Sequence, residues 1–131
     1  MIVLLVGCDM GIIKKLESYK LLKAEALSLR QQYIDDMQMI EQLKKVNHPA
    51  YKRMQDDCNN TYERIETLIN ECKDIEKIID KVPGNNGEFL RMYYIEGKSA
   101  EYIAEKLKYP VSSINQLKRS SIKWIDKHSD L

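Results

Sequence analysis

The feature that most constrains the fold is a long stretch without glycine or proline, from Ile12 to Val46. Within it, apolar residues recur at steps of three and four, which places them on one face of an α-helix. This first stripe consists of Tyr19, Leu22, Ala26, Leu29, Tyr33, Met37, Ile40 and Leu43. At ~1.5 Å per residue such a helix is roughly 50 Å long. The sequence "NHP" at residues 47–49 predicts its end, because a residue before proline disfavours the helical conformation.

A second apolar stripe follows, with the spacing of a short run of heptads. It consists of Ile65, Leu68, Cys72, Ile75, Ile79 and Val82. The sequence "DDCNNT" at residues 56–61 is poor helix material, so residues 49–60 are either a loop or the frayed start of this helix. Two long amphipathic helices with a brief connection predict an antiparallel helical hairpin. Each stripe then needs a cover, which the other helix, the C-terminal domain or a second chain can supply.

Composition agrees with an all-helical chain. Only five of the 131 residues are glycine and three are proline, while 31% are charged. The abundant residues Lys, Glu, Leu, Ile and Met are mostly good helix formers. A chain of this length buries a modest core but not a large enzyme cleft, which favours a binding protein over a complex catalyst.

The clearest boundary in the chain is the sequence "PGNNG", because proline, glycine and asparagine all favour turns. It predicts a linker over residues 83–87. We therefore expect an apolar N-terminal segment (1–11), a helical hairpin (12–82), this linker and a separate C-terminal domain (88–131).

The C-terminal domain carries the start and stop signals of two short helices. Gly97 is placed to end one helix, and Ser99 is placed to cap the next, with Glu101 in its first turn, where the helix dipole favours negative charge. The sequence "KYP" ends that helix. Pro110 and Val111 then open another helix.

The apolar residues of this domain have the spacing of a helix-turn-helix. Two short helices that cross steeply need a small residue where their backbones meet, and Ala104 supplies it. The apolar residues around it are Ile103, Leu107, Ile114 and Leu117, and Trp124 extends the same face. The predicted fold class is therefore all-α, a long helical hairpin followed by a C-terminal helix-turn-helix domain.

The outward face of the second short helix is polar and basic. Although the formal net charge of the chain is only +1, the segment Lys106–Lys123 holds five basic residues and no acidic one. This local asymmetry is what a phosphate-facing surface requires. Asparagine and glutamine pair with adenine, arginine with guanine, and serine with base edges or phosphate, so the face suits a DNA major groove.

Residues of this face can be assigned to bases or to phosphates from the docking geometry of a helix-turn-helix, in which the start of the second helix lies nearest the bases. The predicted base-reading residues are Val111, Ser112, Asn115, Gln116 and Arg119. The predicted phosphate contacts are Ser113, Lys118, Ser120 and Lys123. Of these, Ser113 stands at the margin of the face, where half of its surface is expected to be buried.

Residues 89–125, "FLRMYYIEGKSAEYIAEKLKYPVSSINQLKRSSIKWI", resemble region 4 of bacterial sigma factors. With a helical hairpin ahead of it, the chain is similar to small phage-encoded transcription regulators of the autolysin-regulatory-protein and late-activator type. The resemblance implies binding to a promoter or operator in double-stranded DNA, with RNA polymerase as a candidate partner. Two departures from the pattern, Lys108 in place of a glycine and Pro110 in place of a serine-type cap, predict a tilted turn with displaced first base contacts.

Alternatives to DNA reading remain open at this point. Helix-turn-helix folds also serve as protein-interaction modules. In this alternative the chain is a helical adaptor that binds RNA polymerase or a phage packaging component and does not read DNA directly. In either case the hairpin is a candidate dimerisation surface, which would allow binding to paired half-sites.

No catalytic or metal-binding pattern stands out. His48 and His128 lack a Ser, Cys or carboxylate constellation, and a glycine-rich phosphate loop is missing, so we expect no enzyme activity and no cofactor. Adjacent aspartates, as at Asp35-Asp36 and Asp56-Asp57, point about 100° apart on a helix and do not form an acid-base pair.

The cysteines and the N-terminus bear on the compartment. Cys8, Cys58 and Cys72 are widely spaced without a CxxC pair, which indicates neither a disulfide framework nor a zinc site and fits reduced thiols in the cytoplasm. The sequence "LVGC" at residues 5–8 looks like a bacterial lipoprotein cleavage box. However, no basic residue precedes the apolar run, and the run is too short for a signal or membrane span, so we expect neither export nor membrane insertion. The segment is then an apolar strip packed on the body, or an extension ahead of a start at Met10.

Overall fold

The structure is a computed structural model that describes residues 11–128. All regular secondary structure in this range is helical, and no strand occurs within it. The predicted all-α class is therefore confirmed. The first ten residues, which make up nearly all of the predicted apolar N-terminal segment, and residues 129–131 lie outside the described residues. Within residues 11–128, none of the helices combines the length and the apolarity that crossing a bilayer requires.

From Tyr19 onward the described chain contains α1 (Tyr19–Lys45), α2 (Tyr51–Asp80), α3 (Gly84–Leu90), α4 (Ala100–Leu107) and α5 (Ile114–Lys127). A π-helical segment, Arg91–Ile95, continues α3, and a 3₁₀ turn, Val111–Ser113, leads into α5. Residues 11–17 are also helical.

The first predicted helix is interrupted at Ser18, which lies in a turn between the helical residues 11–17 and α1. The Ser18 hydroxyl donates a hydrogen bond to the carbonyl of Lys15 at 2.6 Å. Hydroxyls of Thr61, Thr67 and Ser120 make the same kind of bond inside uninterrupted helices, and the Ser18 amide still donates to the Lys14 carbonyl at 3.0 Å, so this bond does not account for the break. The expectation of one unbroken helix from Ile12 to Val46 is wrong at this position.

The end of α1 follows from a left-handed residue, Asn47, with φ of 57°. The amide of His48 donates to the carbonyl of Leu43 at 2.9 Å, and the amide of Asn47 donates to Lys44 at 3.1 Å. These two bonds form a Schellman motif, which satisfies the last carbonyls of the helix. Since α2 begins at Tyr51, the segment 49–60, which the sequence left open as loop or helix, is helical from residue 51 onward after a turn at residues 49–50.

By its contacts the chain divides into two compact units. The central unit is Leu21–Cys72. The terminal unit comprises the described residues up to Lys20 together with those from Lys73 onward.

In the central unit, the parts of α1 and α2 that it contains run in opposite directions. Tyr33 and Tyr62 have ring centroids 5.7 Å apart, and the Arg64 guanidinium lies 3.5 Å from the Glu25 carboxylate. The Cys58 thiol donates weakly to the Tyr33 carbonyl at 3.9 Å. Earlier residues of one helix thus meet later residues of the other.

Burial follows the second stripe more closely than the first. All of Ile65, Leu68, Cys72, Ile75, Ile79 and Val82 are buried. In the first stripe Tyr19, Ala26 and Ile40 are buried, whereas Met37 is 43% exposed. A step of four from Tyr33 carries Met37 past the centre of the buried face, because four residues rotate a helix by more than one turn.

The terminal unit is built around α3, which packs closely on α5. Its best-buried side chains include Leu16, Phe89, Leu90 and Ile103. The break before α3 is shorter than the linker predicted over residues 83–87: Pro83 is extended and Gly84 is left-handed at φ of 62°, but the helix already begins at Gly84.

Candidate nucleic-acid interface

The helix α4 begins as the sequence predicts. Ser99 has an extended backbone, and its hydroxyl oxygen accepts a hydrogen bond from the Tyr102 amide at 3.1 Å. Glu101 lies in the first turn, where the helix dipole stabilises its negative charge. Ahead of the cap, Gly97 has φ of 71°, and the Lys98 amide donates to the Met92 carbonyl at 2.8 Å. The predicted cap at Ser99 and stop at Gly97 are both confirmed.

The turn after α4 passes through Lys108, which has φ of 61° and ψ of 44°. This left-handed conformation costs a residue with a side chain about 1–2 kcal/mol, which is why glycine is common at such positions. The Tyr109 amide donates to the Ala104 carbonyl at 2.9 Å and so closes the turn. Ile103 and Ala104 are buried beneath it.

The second short helix opens differently from the prediction. Pro110 has an extended backbone and makes no side-chain cap, and the first three residues after it form a 3₁₀ turn, Val111–Ser113. The α-helix itself begins only at Ile114. Because a 3₁₀ turn is narrower than an α-turn, its side chains point in directions other than those of an α-helix that starts at Val111.

The nine residues that the sequence predicts to contact DNA are called here the polar face, and most of them are exposed. Its exposed members are Val111, Ser112, Asn115, Gln116, Arg119, Ser120 and Lys123, and its half-buried members are Ser113 and Lys118. The opposite side of α5 is buried through Ile114, Ser121, Ile122 and Ile125. The expected half burial of Ser113 is confirmed, and the nine residues lie on the 3₁₀ turn Val111–Ser113 and on α5.

Lys118 is held against an aromatic ring. Its ammonium lies 4.9 Å from the centroid of Tyr93, and Tyr93 stacks on Phe89 with centroids 5.3 Å apart. Phe89 is fully buried, so the aromatic pair is a fixed support. The attraction between an ammonium and an aromatic face is about 0.5–1 kcal/mol at exposed sites. This contact restricts the positions that the Lys118 ammonium adopts.

Asn86 joins α5 to the start of α3 through two successive serines. The Asn86 side-chain oxygen accepts hydrogen bonds from Ser120 at 3.1 Å and from Ser121 at 3.2 Å. The Ser121 hydroxyl also lies 2.7 Å from the Leu117 carbonyl. Ser121 is fully buried, and its partners satisfy a hydroxyl that would otherwise be costly to bury.

A neighbouring asparagine holds the turn between α4 and α5. The side-chain nitrogen Nδ2 of Asn85 donates a hydrogen bond to the Tyr109 hydroxyl at 2.9 Å. Together with Asn86, Tyr109 borders a shallow groove of about 400 Å³ that the polar face reaches through Ser113, Gln116 and Ser120. The sequence singled out Asn85 and Asn86 only as turn formers, and it carried no signal for Tyr109.

Two further titratable groups, His128 and Cys58, lie outside the polar face. The His128 ring is stacked on Trp124 at 3.9 Å, and its Nδ1 lies 2.8 Å from the Trp124 carbonyl. Burial raises the pKa of the Cys58 thiol, with a smaller contribution from Asp36. Among the described residues, no group of three or more His, Cys, Asp or Glu side chains is placed to hold a metal ion.

No protein-family model, curated protein or solved structure matches this chain. Any functional interpretation therefore rests on the chemistry and geometry of the chain itself. The most informative geometry is the polar face, since it combines amides, hydroxyls and cations on the exposed side of a helix whose other side is buried.

Proposed function

We propose that this protein is a transcription regulator that binds double-stranded DNA in a sequence-specific manner. In this proposal α4, the turn after it and α5 act as a helix-turn-helix, and the polar face enters the major groove. The observation that carries the proposal is the exposure of Asn115, Gln116 and Arg119 on one side of α5, opposite its buried side. These side chains offer the paired donors and acceptors by which major-groove edges are distinguished.

The turn supports this assignment. Between the end of α4 at Leu107 and the 3₁₀ turn at Val111 there are only three residues, the length that joins the two helices of such motifs. The turn is also anchored on the Asn85 side chain through Tyr109. A rigid turn holds a reading helix at a constant angle, so the energy of its base contacts is not lost in ordering the element.

The contacts to bases and phosphates follow the exposure of the residues. In the proposal Val111, Ser112, Asn115, Gln116 and Arg119 read bases, while Ser113, Lys118, Ser120 and Lys123 contact phosphates. Lys118 reaches its phosphate from the Tyr93 ring. The Ser120 hydroxyl donates its proton to Asn86 or to Leu117. Because phosphate oxygens only accept, Ser120 contacts a phosphate by exchanging this bond for one to the DNA.

The wider assignment extends the resemblance to region 4 of sigma factors. We infer a regulator of phage or prophage origin that works in the cytoplasm and contacts RNA polymerase at a promoter. The central unit is then the helical hairpin that pairs two copies of the chain. Its exposed apolar side chains, among them Leu27 and Ile34, supply the surface for that contact.

Selection of duplexes from a random pool, followed by titration of the selected duplex against salt, tests DNA binding. Because each lost phosphate contact reduces the salt slope by about one, we expect a shallower slope for Lys118→Ala with Arg119→Ala. Loss of an arginine that reads guanine further lowers affinity by about tenfold.

The matched control is Lys44→Ala with Lys45→Ala. It removes the same charge from the end of α1, and Lys44 also lies over an aromatic ring, that of Tyr51 at 6.0 Å. This control should keep nearly the wild-type affinity. No selected duplex at low salt, or equal losses in the two double variants, would contradict the proposal.

A second candidate function is that of a helical adaptor that binds RNA polymerase or a phage packaging component. Large apolar side chains exposed on α1 favour it. Leu21 is 75% exposed and Leu27 is 59% exposed. Because Ile75 and the other residues of the second stripe are buried, Leu27→Glu with Ile34→Glu, at exposed positions of α1, is the variant that tests the adaptor. If purified RNA polymerase retains the wild type and the Lys118 and Arg119 variant but releases Leu27→Glu with Ile34→Glu, the adaptor is favoured.

A further inference from the structure

The shallow groove beside the polar face is bordered by neutral side chains, most of them polar. Its bordering residues are Asn86, Tyr109, Ser113, Gln116, Leu117 and Ser120. Five of these six carry an amide or a hydroxyl group, and none carries a charge. A polyanion that approaches this groove therefore meets hydrogen-bonding groups and is not repelled by a carboxylate on the border.

The groove continues the polar face. Ser113, Gln116 and Ser120 belong to both, and the proposed function already assigns the two serines to phosphates. Since these serines lie at positions 113 and 120, the groove follows the reading element for about two helical turns. The backbone that flanks a major groove lies beside any helix inserted into that groove, and it is fixed there by phosphate contacts.

Tyr109 brings the turn after α4 to this groove. The residue is 37% exposed, and its hydroxyl oxygen accepts a hydrogen bond from Nδ2 of Asn85 at 2.9 Å, in an exposed contact. The side-chain nitrogen of asparagine can only donate, so the phenol is the acceptor in this bond. The hydroxyl therefore keeps its own proton for a second hydrogen bond.

Ser120, which borders the same groove, is placed differently. Its hydroxyl donates to Asn86 at 3.1 Å or to the Leu117 carbonyl at 3.0 Å, and one of these bonds must be given up when it contacts a phosphate. Tyr109 keeps its bond to Asn85 while it donates to another acceptor. Because Asn85 fixes the position of the phenol oxygen before binding, less ordering is needed when the contact forms.

We propose that this groove holds the sugar-phosphate backbone of one DNA strand, and that the Tyr109 hydroxyl donates a hydrogen bond to a phosphate of that strand. The inference rests on the proposed function, because the strand is the one that flanks the major groove entered by the polar face. Asn85 is a positioning residue that acts through Tyr109. The contact adds affinity without sequence preference, since a phosphate is the same at every base.

Equilibrium binding of Tyr109→Phe tests this contact, with the duplex that the wild type selects and a scrambled duplex of the same composition. The variant keeps the ring and loses only the hydroxyl. Loss of a hydrogen bond to a charged group should weaken binding by about tenfold or more, by the same factor for both duplexes. The salt slope should stay that of the wild type, because tyrosine neutralises no phosphate and releases no counterion.

Neutral phosphates identify the contacted position. In a series of selected duplexes, a methylphosphonate replaces one phosphate at a time, which removes its charge and one accepting oxygen. At one position this change should weaken the wild type strongly and Tyr109→Phe much less, because two changes that remove the same contact are not additive. At the other positions the wild type and the variant should lose affinity by equal factors.

Tyr62→Phe is the matched control. Tyr62 is 47% exposed and belongs to the central unit, so its variant should bind both duplexes as the wild type does. Asn85→Ala tests the positioning role. It should weaken binding by less than Tyr109→Phe does, and it should add no loss to Tyr109→Phe, because the hydroxyl that it positions is then absent.

Three results would overturn this inference and leave the proposed function in place. They are wild-type affinity of Tyr109→Phe for the selected duplex, a loss confined to the selected duplex, and equal methylphosphonate losses in wild type and variant at every position. A wild type that binds no duplex would overturn the proposed function and this inference together.

Discussion

The central and terminal units use polar side chains in different ways. In the central unit the ion pair between Arg64 and Glu25 lies on the exposed surface, and the thiol of Cys58 makes a weak, part-buried contact with the Tyr33 carbonyl. In the terminal unit hydroxyl groups make part-buried hydrogen bonds to side chains of other segments. Ser121 bonds to Asn86 from 35 residues away, and the Tyr19 hydroxyl lies 3.1 Å from the Glu76 carboxylate, 57 residues away.

The two units also differ in how many large apolar side chains they expose. In the described part of the chain, most of the large apolar side chains that reach the surface belong to the central unit, including Leu21, Leu27 and Val46. Those of the terminal unit are Tyr102, Tyr109 and Val111, which lie on or near α4 and the turn after it. The long helices of the central unit thus leave more apolar surface exposed than the short helices of the terminal unit do.

The largest effect is expected from Phe89→Ala in the terminal unit. Phe89 is fully buried and stacked on Tyr93, so its truncation should lower the free energy of unfolding by about 3–5 kcal/mol. Urea denaturation followed by circular dichroism measures this loss. Met37→Ala, at a 43% exposed position of the central unit, is the control and should cost far less. Similar losses in both variants would remove the contrast in burial.

A smaller effect should follow from Ser99→Ala, which removes the cap of α4. The Tyr102 amide then loses its acceptor, at a cost of about 1 kcal/mol. Arg64→Ala breaks the exposed ion pair of the central unit and should cost no more than about 0.5 kcal/mol. The same denaturation experiment ranks the two variants. A larger loss from Arg64→Ala would contradict the different roles of polar groups in the two units.

A stabilising effect, smaller than the loss expected from Phe89→Ala, should follow from Lys108→Gly. Glycine adopts the left-handed conformation of this turn without strain, so the unfolding free energy should rise by roughly 0.5–1 kcal/mol. Asn47→Gly makes the matching change at the left-handed residue after α1 and should leave duplex affinity unchanged. A loss of stability in Lys108→Gly would show that its side chain makes a compensating contact.

The sequence was most informative where structure is local or periodic. The steps of three and four from Ile65 to Val82 identified a stripe that is buried at every position. The signals at Gly97 and Ser99 also placed the stop and the cap correctly, because both depend on neighbouring backbone groups. The exposure of the polar face follows from the same period, while its binding to DNA stays a prediction.

What the sequence missed depends on contacts between distant residues or on competition within one turn. The break at Ser18 is one such case, because helix propensity does not distinguish a serine inside a helix from a serine in a turn between two helical segments. The anchoring of α5 by Asn86 joins residues 34 and 35 positions apart. The buried hydroxyl of Tyr94, which has no hydrogen-bond partner within residues 11–128, is equally invisible in a sequence.

The placement of two thiols and one indole makes each unit separately observable. Cys58 and Cys72 are both buried in the central unit, so alkylation of either thiol requires local opening there, and its rate reports how often the unit opens. Trp124, the single tryptophan of the chain, lies in the terminal unit. With Cys8 replaced by serine, thiol labelling and indole fluorescence would follow the two units independently in one sample.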